Sequence, residues 1–128
     1  MKKLRLIFFL IYLVFNCKYS SAQAPNWLWV KNAAGNGFDY GRDITTDALG
    51  NIYVVGKSSS TSITFGSTTF TSTVPSAYLV KYDPSGNIIW VKHVGPPGAS
   101  NGTSVATDTN NNVFMTGDFY PPSIVFGN

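Results

Sequence analysis

Short apolar runs alternate with turn-forming residues along most of the chain. The runs are roughly four to seven residues long, and clusters of Gly, Asn, Asp, Pro and Ser separate them. Beyond residue 22 no stretch repeats its apolar positions with a helical period, so an all-β fold is predicted. The predicted strands are Trp27–Asn32, Arg42–Thr46, Ile52–Lys57, Ala77–Tyr82, Ile88–His93, Ser104–Thr107 and Val113–Gly117, with a shorter one possible within Ile63–Phe70.

Two segments between predicted strands share one turn formula. Both 47–52 and 83–88 begin with Asp and end with Gly, Asn and Ile. The aspartate can cap the turn through its side chain, glycine accepts a positive φ, and isoleucine restarts the next strand. Each formula therefore predicts a β-hairpin, and segment 108–112 is predicted to form a turn as well.

The chain matches itself without a gap after a shift of 61 residues. Segments 29–66 and 90–127 have 13 identical pairs among 38 aligned positions, where unrelated sequences of ordinary composition would give roughly two or three. The identities fall in predicted strands and at turns, which indicates a tandem repeat. The repeat signature, including the turn residues, is Trp29, Gly41, Asp47, Gly50, Asn51, Gly56, Phe65, Gly66, Asp83, Gly86, Asn87, Trp90, Gly102, Asp108, Asn112, Gly117, Phe126 and Gly127.

The predicted strands need cover on both faces. Segments 52–55 and 88–91 are apolar at consecutive positions, unlike strands with one face in water. One repeat supplies four main strands in two hairpins, which the Ser/Thr-rich segment 58–76 joins. Four antiparallel strands per repeat, with a neighbour needed on each face, predict β-propeller blades. The alternatives are a parallel β-helix, which has much shorter coils, and separate β-sandwiches, which would not repeat at this period.

The first 22 residues have the organisation of a secretory signal peptide. Three basic residues among the first five precede the apolar run Leu6–Phe15, and small residues follow, so cleavage is predicted after Ala22. The apolar run is too short for a membrane span, which needs ~20 residues. Cleavage after Ala24 is an alternative, but it would place Pro25 directly past the cut. A lipoprotein modified at Cys17 is another, although Asn16 is larger than the residue that normally precedes such a cysteine.

Removal of this leader changes the charge balance. Four of the nine basic residues lie within it, so five basic residues accompany six aspartates in the remainder. No Lys/Arg cluster remains, which argues against a nucleic-acid partner. The predicted mature chain also lacks cysteine, so packing rather than disulfides must stabilise it. We expect a secreted protein, extracellular or on the outer surface of a bacterial cell, with no stable membrane span after cleavage.

Residues suited to catalysis are scarce. His93 is the only histidine, glutamate is absent, and the predicted mature chain has no thiol, so neither an enzyme nor a cofactor site is expected. His93 with a serine and Asp83 or Asp108 could form a triad, but a solvated or packed histidine is favoured.

Asp39, Asp43 and Asp47 are weak candidates for calcium binding, because hard cations prefer oxygen ligands. Their spacing of four does not match the known loop pattern, and only Asp47 recurs in the second copy. Turn capping and solvation are therefore favoured for these aspartates.

Aromatic residues fall into two groups. Trp29 and Trp90 share one repeat position, as do Tyr53 and Phe114, which indicates packing between blades. The residues without an aromatic counterpart are the candidates to face a ligand, and they are Trp27, Phe38, Tyr40 and Tyr120.

The pattern of Trp29-Val-Lys, Gly41 to Gly56, Ile63-Thr-Phe-Gly66 and Tyr78 to Trp90 resembles the bacterial SBBP repeat of secreted and cell-surface proteins. The resemblance covers nearly all of residues 27–127 and implies a multi-bladed propeller, an N-terminal strand that completes the last blade, and often further modules or a C-terminal sorting domain. Segment 27–32 suits that closing strand. The full repeat would span about 42–93 and a partial second repeat about 103–128.

The expected role is non-catalytic binding or scaffolding, with a cell-surface protein or a carbohydrate as possible partner. One alternative is a spacer in an adhesin or S-layer-like cell-envelope assembly, and another is a fragment of a propeller hydrolase or lyase. The sequence stops within the insertion of its second repeat, so we expect an N-terminal fragment. With two apolar blade faces exposed, residues 23–128 are expected to be marginally stable or self-associating.

Overall fold

The computed structural model describes residues 24–126. The predicted signal peptide, its cleavage site after Ala22, Cys17 and Gly127 lie outside the described residues. The described chain is all β, as predicted, and contains ten strands: β1 (Ala34–Gly35), β2 (Asp39–Thr46), β3 (Ile52–Ser58), β4 (Ser62–Phe65), β5 (Thr68–Thr71), β6 (Ser76–Tyr82), β7 (Ile88–Gly95), β8 (Ser100–Thr107), β9 (Val113–Phe119) and β10 (Val125–Phe126).

Strands β2, β3, β6 and β7 are called the first blade, and they form an antiparallel sheet that short β10 extends at the β7 edge. These are the four strands of the two predicted hairpins, so that prediction is confirmed. One row of paired residues crosses the sheet through Ile44, Val54, Val80 and Val91, and all four side chains lie on one face. The apolar alternation within each strand therefore combines into an apolar face of the whole blade.

The Ser/Thr-rich insertion forms a hairpin of its own. A single short strand was expected within 63–70, whereas β4 and β5 pair around a turn at Gly66, which has φ +58°. Ile63 and Phe65 are buried against Tyr78 and Val80. The insertion thus covers the outer part of one face of the first blade.

Strands β8 and β9 of the second repeat cover the opposite face of the first blade. Val105 packs with Tyr53 and Val55 in a second buried cluster, joined at its edge by partly buried Met115. The insertion and the second repeat thus each cover part of one face of the first blade. The marginal stability or self-association expected for residues 23–128 stays a prediction.

The predicted strand 27–32 is not formed. Residues 24–33 have no regular secondary structure, and no strand among the described residues pairs with them. Trp29 is held by its side chain instead: its ring centroid lies 5.8 Å from that of Tyr82, and Nε1 donates to the Pro84 carbonyl at 3.2 Å. An apolar sequence alone does not make a strand, because its amide groups need a partner ladder. The closing role of this segment stays a prediction.

The three predicted turns are confirmed and share one hydrogen-bond pattern. In each, the aspartate accepts from the amide N–H and from the side-chain Nδ2 of the asparagine four residues later, as in Asp47 with Asn51. The residue before that asparagine has positive φ: 78° at Gly50, 83° at Gly86 and 63° at Asn111. Asparagine replaces glycine in the third turn because its side chain tolerates the left-handed region.

Candidate functional site

The two repeats pack face to face, and side-chain hydrogen bonds join their first long strands, β2 and β8. Ser104 Oγ donates to Asp43 Oδ2 at 2.6 Å, and Thr107 Oγ1 donates to the Thr46 carbonyl at 2.8 Å. In both bonds the partners are 61 residues apart, so each residue contacts its own repeat counterpart. The two contacts follow the same order along both strands, so β2 and β8 run parallel and begin at the same end of the blade pair.

That end of the blade pair carries two of the aromatic residues whose repeat counterparts are not aromatic. Ser59 donates its amide to the Phe38 carbonyl at 2.9 Å, and Tyr120 donates its amide to the Ala99 carbonyl at 2.8 Å. These two bonds are also equivalent under the repeat, so Phe38 and Tyr120 lie at the same end of their hairpins. Their side chains are 76% and 62% exposed. We call this end, with its exposed Phe38, Tyr40 and Tyr120, the aromatic rim.

Tyr40 completes the aromatic rim on β2. Its ring is partly exposed and lies 5.0 Å from the guanidinium carbon of Arg42, which is itself exposed. Its carbonyl accepts a hydrogen bond of 2.9 Å from the Tyr78 hydroxyl. Burial, with smaller effects of Tyr82 and Asp39, raises the pKa of Tyr78 to about 12, so this hydroxyl stays protonated and remains a donor.

Trp27, the fourth aromatic candidate, lies elsewhere. It is 91% exposed and borders a shallow cavity with Ile52 and Pro84, beside the turns that close the hairpins. The structure therefore brings three of the four candidates to one end of the blade pair and places the fourth at the other.

A cavity of about 740 Å³ lies at the aromatic rim beside the second repeat, lined by Asn101, Met115, Phe119 and Ile124 among others. The equivalent space in the first repeat is filled by Tyr78 of β6, which packs against Ile63 and bonds to Tyr40, the counterpart of Asn101.

The three aspartates considered for calcium bind different donors. Asp39 accepts from the hydroxyls of Ser58 and Ser60 at 2.6 and 2.7 Å. Asp43 accepts from Ser104 and from the Val105 amide, and the Ser104 hydrogen bond is the main cause that lowers its pKa. Among residues 24–126 no three metal-ligating side chains of the His, Cys, Asp and Glu types are close enough to share an ion.

Asp47 is the centre of a buried polar network. Its carboxylate accepts hydrogen bonds from the Tyr53 hydroxyl at 3.0 Å and from Asn51 and Leu49, and Lys81 Nζ lies 3.7 Å away. Burial opposes ionisation, but the hydrogen bonds of Asn51, Tyr53 and Leu49 outweigh it and lower the pKa to about 2. The carboxylate is charged at neutral pH and holds the first turn against the sheet.

Lys81 was missed by the sequence reasoning. Its ammonium lies 4.9 Å from the centre of the Tyr53 ring, and the hydrogen bond to Tyr53 is the largest of the causes that raise its pKa. The only sequence signal for Lys81 was its position between Val80 and Tyr82 in the apolar predicted strand 77–82, because a buried lysine needs an acidic partner.

His93 is a packed residue. Its ring stacks on Phe70 of the inserted hairpin with 5.1 Å between centroids and 17° between planes. Burial lowers the pKa of the imidazole, so it is neutral at pH 7. The sequence had left open whether this histidine is solvated or packed, and its stacking on Phe70 is the packed arrangement.

Comparison with known proteins agrees with the blade geometry. The family model of the SBBP β-propeller repeat matches residues 29–64 and 89–118. The chain belongs to the SBBP family of β-propeller repeats. In this SBBP domain, the first matched region contains β2 and β3, and the second contains β8 and β9 up to residue 118.

One curated relative of the SBBP chain is an uncharacterized WD repeat-containing protein, L264, of Acanthamoeba polyphaga mimivirus, 33% identical over 110 residues. The match covers 80% of this chain and 8% of that protein, so the chain spans a small part of the relative's length. No solved structure matches the chain significantly. In residues 24–126 there is no helix with the length and apolarity that a membrane span requires.

Proposed function

We propose that this β-propeller repeat domain is exported and has a non-catalytic binding role at the cell surface, with carbohydrate as the partner. The observation that carries the proposal is the aromatic rim, where exposed rings without an aromatic repeat counterpart lie at one end of the blade pair. Residues that only hold a repeat together are expected to recur in each copy, whereas Phe38, Tyr40 and Tyr120 do not recur.

The chemistry of the aromatic rim suits sugar rings. Exposed aromatic faces stack on the apolar faces of sugars, and neighbouring hydroxyl and amide groups bond to the sugar hydroxyls. Asn36 and Thr61 lie beside Phe38 and are exposed, with Asn36 Nδ2 donating to Thr61 Oγ1 at 2.8 Å. The polar groups considered for catalysis or metal binding are meanwhile engaged in turns, in packing and between the blades.

The test of binding compares single alanine variants on a panel of bacterial cell-wall and capsular polysaccharides. Phe38→Ala and Tyr120→Ala should each weaken binding roughly 3- to 10-fold, since an aromatic contact is worth about 0.5–1.5 kcal/mol. Trp27→Ala is the matched control, because Trp27 is an aromatic residue that is even more exposed, at 91%, but lies at the opposite end. Equal loss in all three variants, or no polysaccharide binding by the parent chain, would contradict the proposal.

Export is tested separately. Expression of the whole chain with a C-terminal tag, followed by mass determination of the released protein, should give a new N-terminus after Ala22. A chain that retains Met1 and stays in the cell would refute export while leaving the binding result valid. An acylated Cys17 would instead establish the lipoprotein alternative.

A second candidate role, a spacer in a cell-envelope assembly, rests on a different observation. Strand β10 of the second repeat pairs with the end of β7, with Val125 opposite Gly95, just as β4 pairs with β1 through Thr64 opposite Ala34. In each repeat a strand of the insertion, β4 or β10, thus pairs with the strand that precedes the repeat, β1 or β7, and this pairing would stiffen consecutive blades. Surface retention of the chain without polysaccharide binding would favour this role.

A further inference from the structure

The contact between the two repeats has two chemically distinct sides. The donor side belongs to β8, where Val105 enters the apolar cluster and Thr107 donates a hydrogen bond. The acceptor side belongs to β2 and β3, where Tyr53 and Val55 receive Val105 and the Thr46 carbonyl accepts from Thr107. The contact is heterologous, since the two repeats use different surfaces.

Each repeat also carries the counterpart of the side that it does not use. Ile44 is the repeat counterpart of Val105, and Phe114 is the counterpart of Tyr53. In the contact Val105 and Tyr53 are 6% and 1% exposed, whereas Ile44 and Phe114 are 63% and 57% exposed. The described chain therefore exposes a donor side on its first repeat and an acceptor side on its second repeat, where Phe114 is retained and Thr116 replaces Val55.

The polar groups of the two free sides also match. Thr46 is the counterpart of Thr107, and it is exposed on the free donor side, where its hydroxyl would be the donor. On the free acceptor side the Thr107 carbonyl would take the place of the Thr46 carbonyl. Asp43 and Ser104 also exchange places, but they are already bonded to each other within the chain, so the new contact depends on the threonine and apolar groups. Five basic and six acidic residues follow the predicted leader, so net charge opposes association only weakly.

We propose that two copies of this chain associate head to tail, with the Ile44 side of one copy packed on the Phe114 side of the next. The arrangement continues the contact already present between the repeats, with a second copy in the place of a further repeat. Because a heterologous contact leaves one free side at each end, it extends to rings or open chains of copies rather than stopping at a symmetric dimer.

The experiment measures the mass distribution of the chain by analytical ultracentrifugation across ~5 to ~200 µM, the range in which small interfaces are populated. The parent chain should show a weight-average mass that at least doubles across this range. Ile44→Asp and Phe114→Asp should each remain monomeric, because each loses one of the two sides. Ile89→Asp is the control, since Ile89 is 51% exposed on β7, outside the contact, and this variant should associate like the parent.

Mixing the two variants distinguishes the arrangement. Ile44→Asp keeps its acceptor side and Phe114→Asp keeps its donor side, so an equimolar mixture should form 1:1 dimers and nothing larger. A parent chain that stays monomeric would overturn the proposal. Self-association of Phe114→Asp alone, or of Ile44→Asp alone, would also overturn it by showing a symmetric contact. Association of both variants alone would show exchange of strands instead. At ~1 µM, where association does not contribute, all four chains should have the same circular dichroism melt, because the substituted side chains are exposed.

Discussion

Removal of side-chain volume at one repeat position should destabilise the protein much more in one copy than in the other. Val105 and Ile44 are counterparts, but Val105 is 6% exposed at the contact between repeats and Ile44 is 63% exposed. Val105→Ala removes two buried methylene equivalents, worth ~0.8 kcal/mol each, and leaves a cavity that adds on the order of 1 kcal/mol. We expect the free energy of unfolding to fall by roughly 2–3 kcal/mol. Ile44→Ala should lower it by less than about 1 kcal/mol.

The measurement is urea unfolding followed by tryptophan fluorescence, because Trp90 packs at the edge of the cluster that contains Val105. With a slope of ~1–3 kcal/mol per molar urea, the midpoint of Val105→Ala should shift by about 1 M or more. The chain is kept near ~1 µM so that association does not contribute. Equal destabilisation by the two variants would refute the reasoning, because it would mean that Val105 is no more buried than its counterpart.

Three further predictions follow from single contacts. The pKa of Asp47 is lowered to about 2, so the stability that it contributes is present above pH ~4 and is lost as the pH falls through about 2. Urea midpoints measured between pH 6 and 2 should therefore fall less steeply in Asp47→Asn than in the parent. Equal slopes would contradict the role of this carboxylate. A Cβ at Gly56 would overlap the Tyr40 carbonyl oxygen, whereas a Cβ at Gly41 would lie 4.0 Å from Val54. Gly56→Ala should therefore cost roughly 1–3 kcal/mol and Gly41→Ala less than about 0.5 kcal/mol in the same unfolding assay, and a tolerated Gly56→Ala would show that the sheet is not packed this closely. Tyr78→Phe removes the donor to the Tyr40 carbonyl and should cost about 1 kcal/mol, seen as a lower melting temperature, while no change would show that water replaces the bond.

The blade strands were predictable because their signals are local. Alternating or continuous apolar positions, bounded by Asp and Gly-Asn turns, place β2, β3, β6 and β7 without any knowledge of their neighbours. The turn at 108–112 was predictable as well, although its positive-φ position holds Asn111 rather than glycine. In these segments short-range sequence pattern and long-range pairing agree.

Two segments were predicted less well because partners decide their structure. The apolar pattern of 27–32 is that of a strand, but it finds no strand to pair with among residues 24–126, and Trp29 packs on Tyr82 instead. In the insertion, Ile63 and Phe65 stand in a Ser/Thr-rich background that gives weak local preference. They form a buried hairpin because Tyr78 and Val80 offer an apolar face.

The candidate site was predicted only in part. Phe38, Tyr40, Tyr120 and Trp27 were selected from sequence because their repeat counterparts are not aromatic, but only the fold separates the first three from Trp27. Asp43, weighed for calcium from its spacing, bonds instead to Ser104, a residue 61 positions away that no local pattern connects to it.

The sequence by itself determined the all-β class, the repeat with its period of 61 residues, and the turns, because these depend on residue types at short spacing. The tertiary structure alone decided which copy of each repeated position is buried. Val105 and Ile44 are both β-branched aliphatic residues, so residue type alone does not show which of the two is buried. Burial depends on whether a neighbouring repeat is packed against that face, and that is a property of the assembled blades.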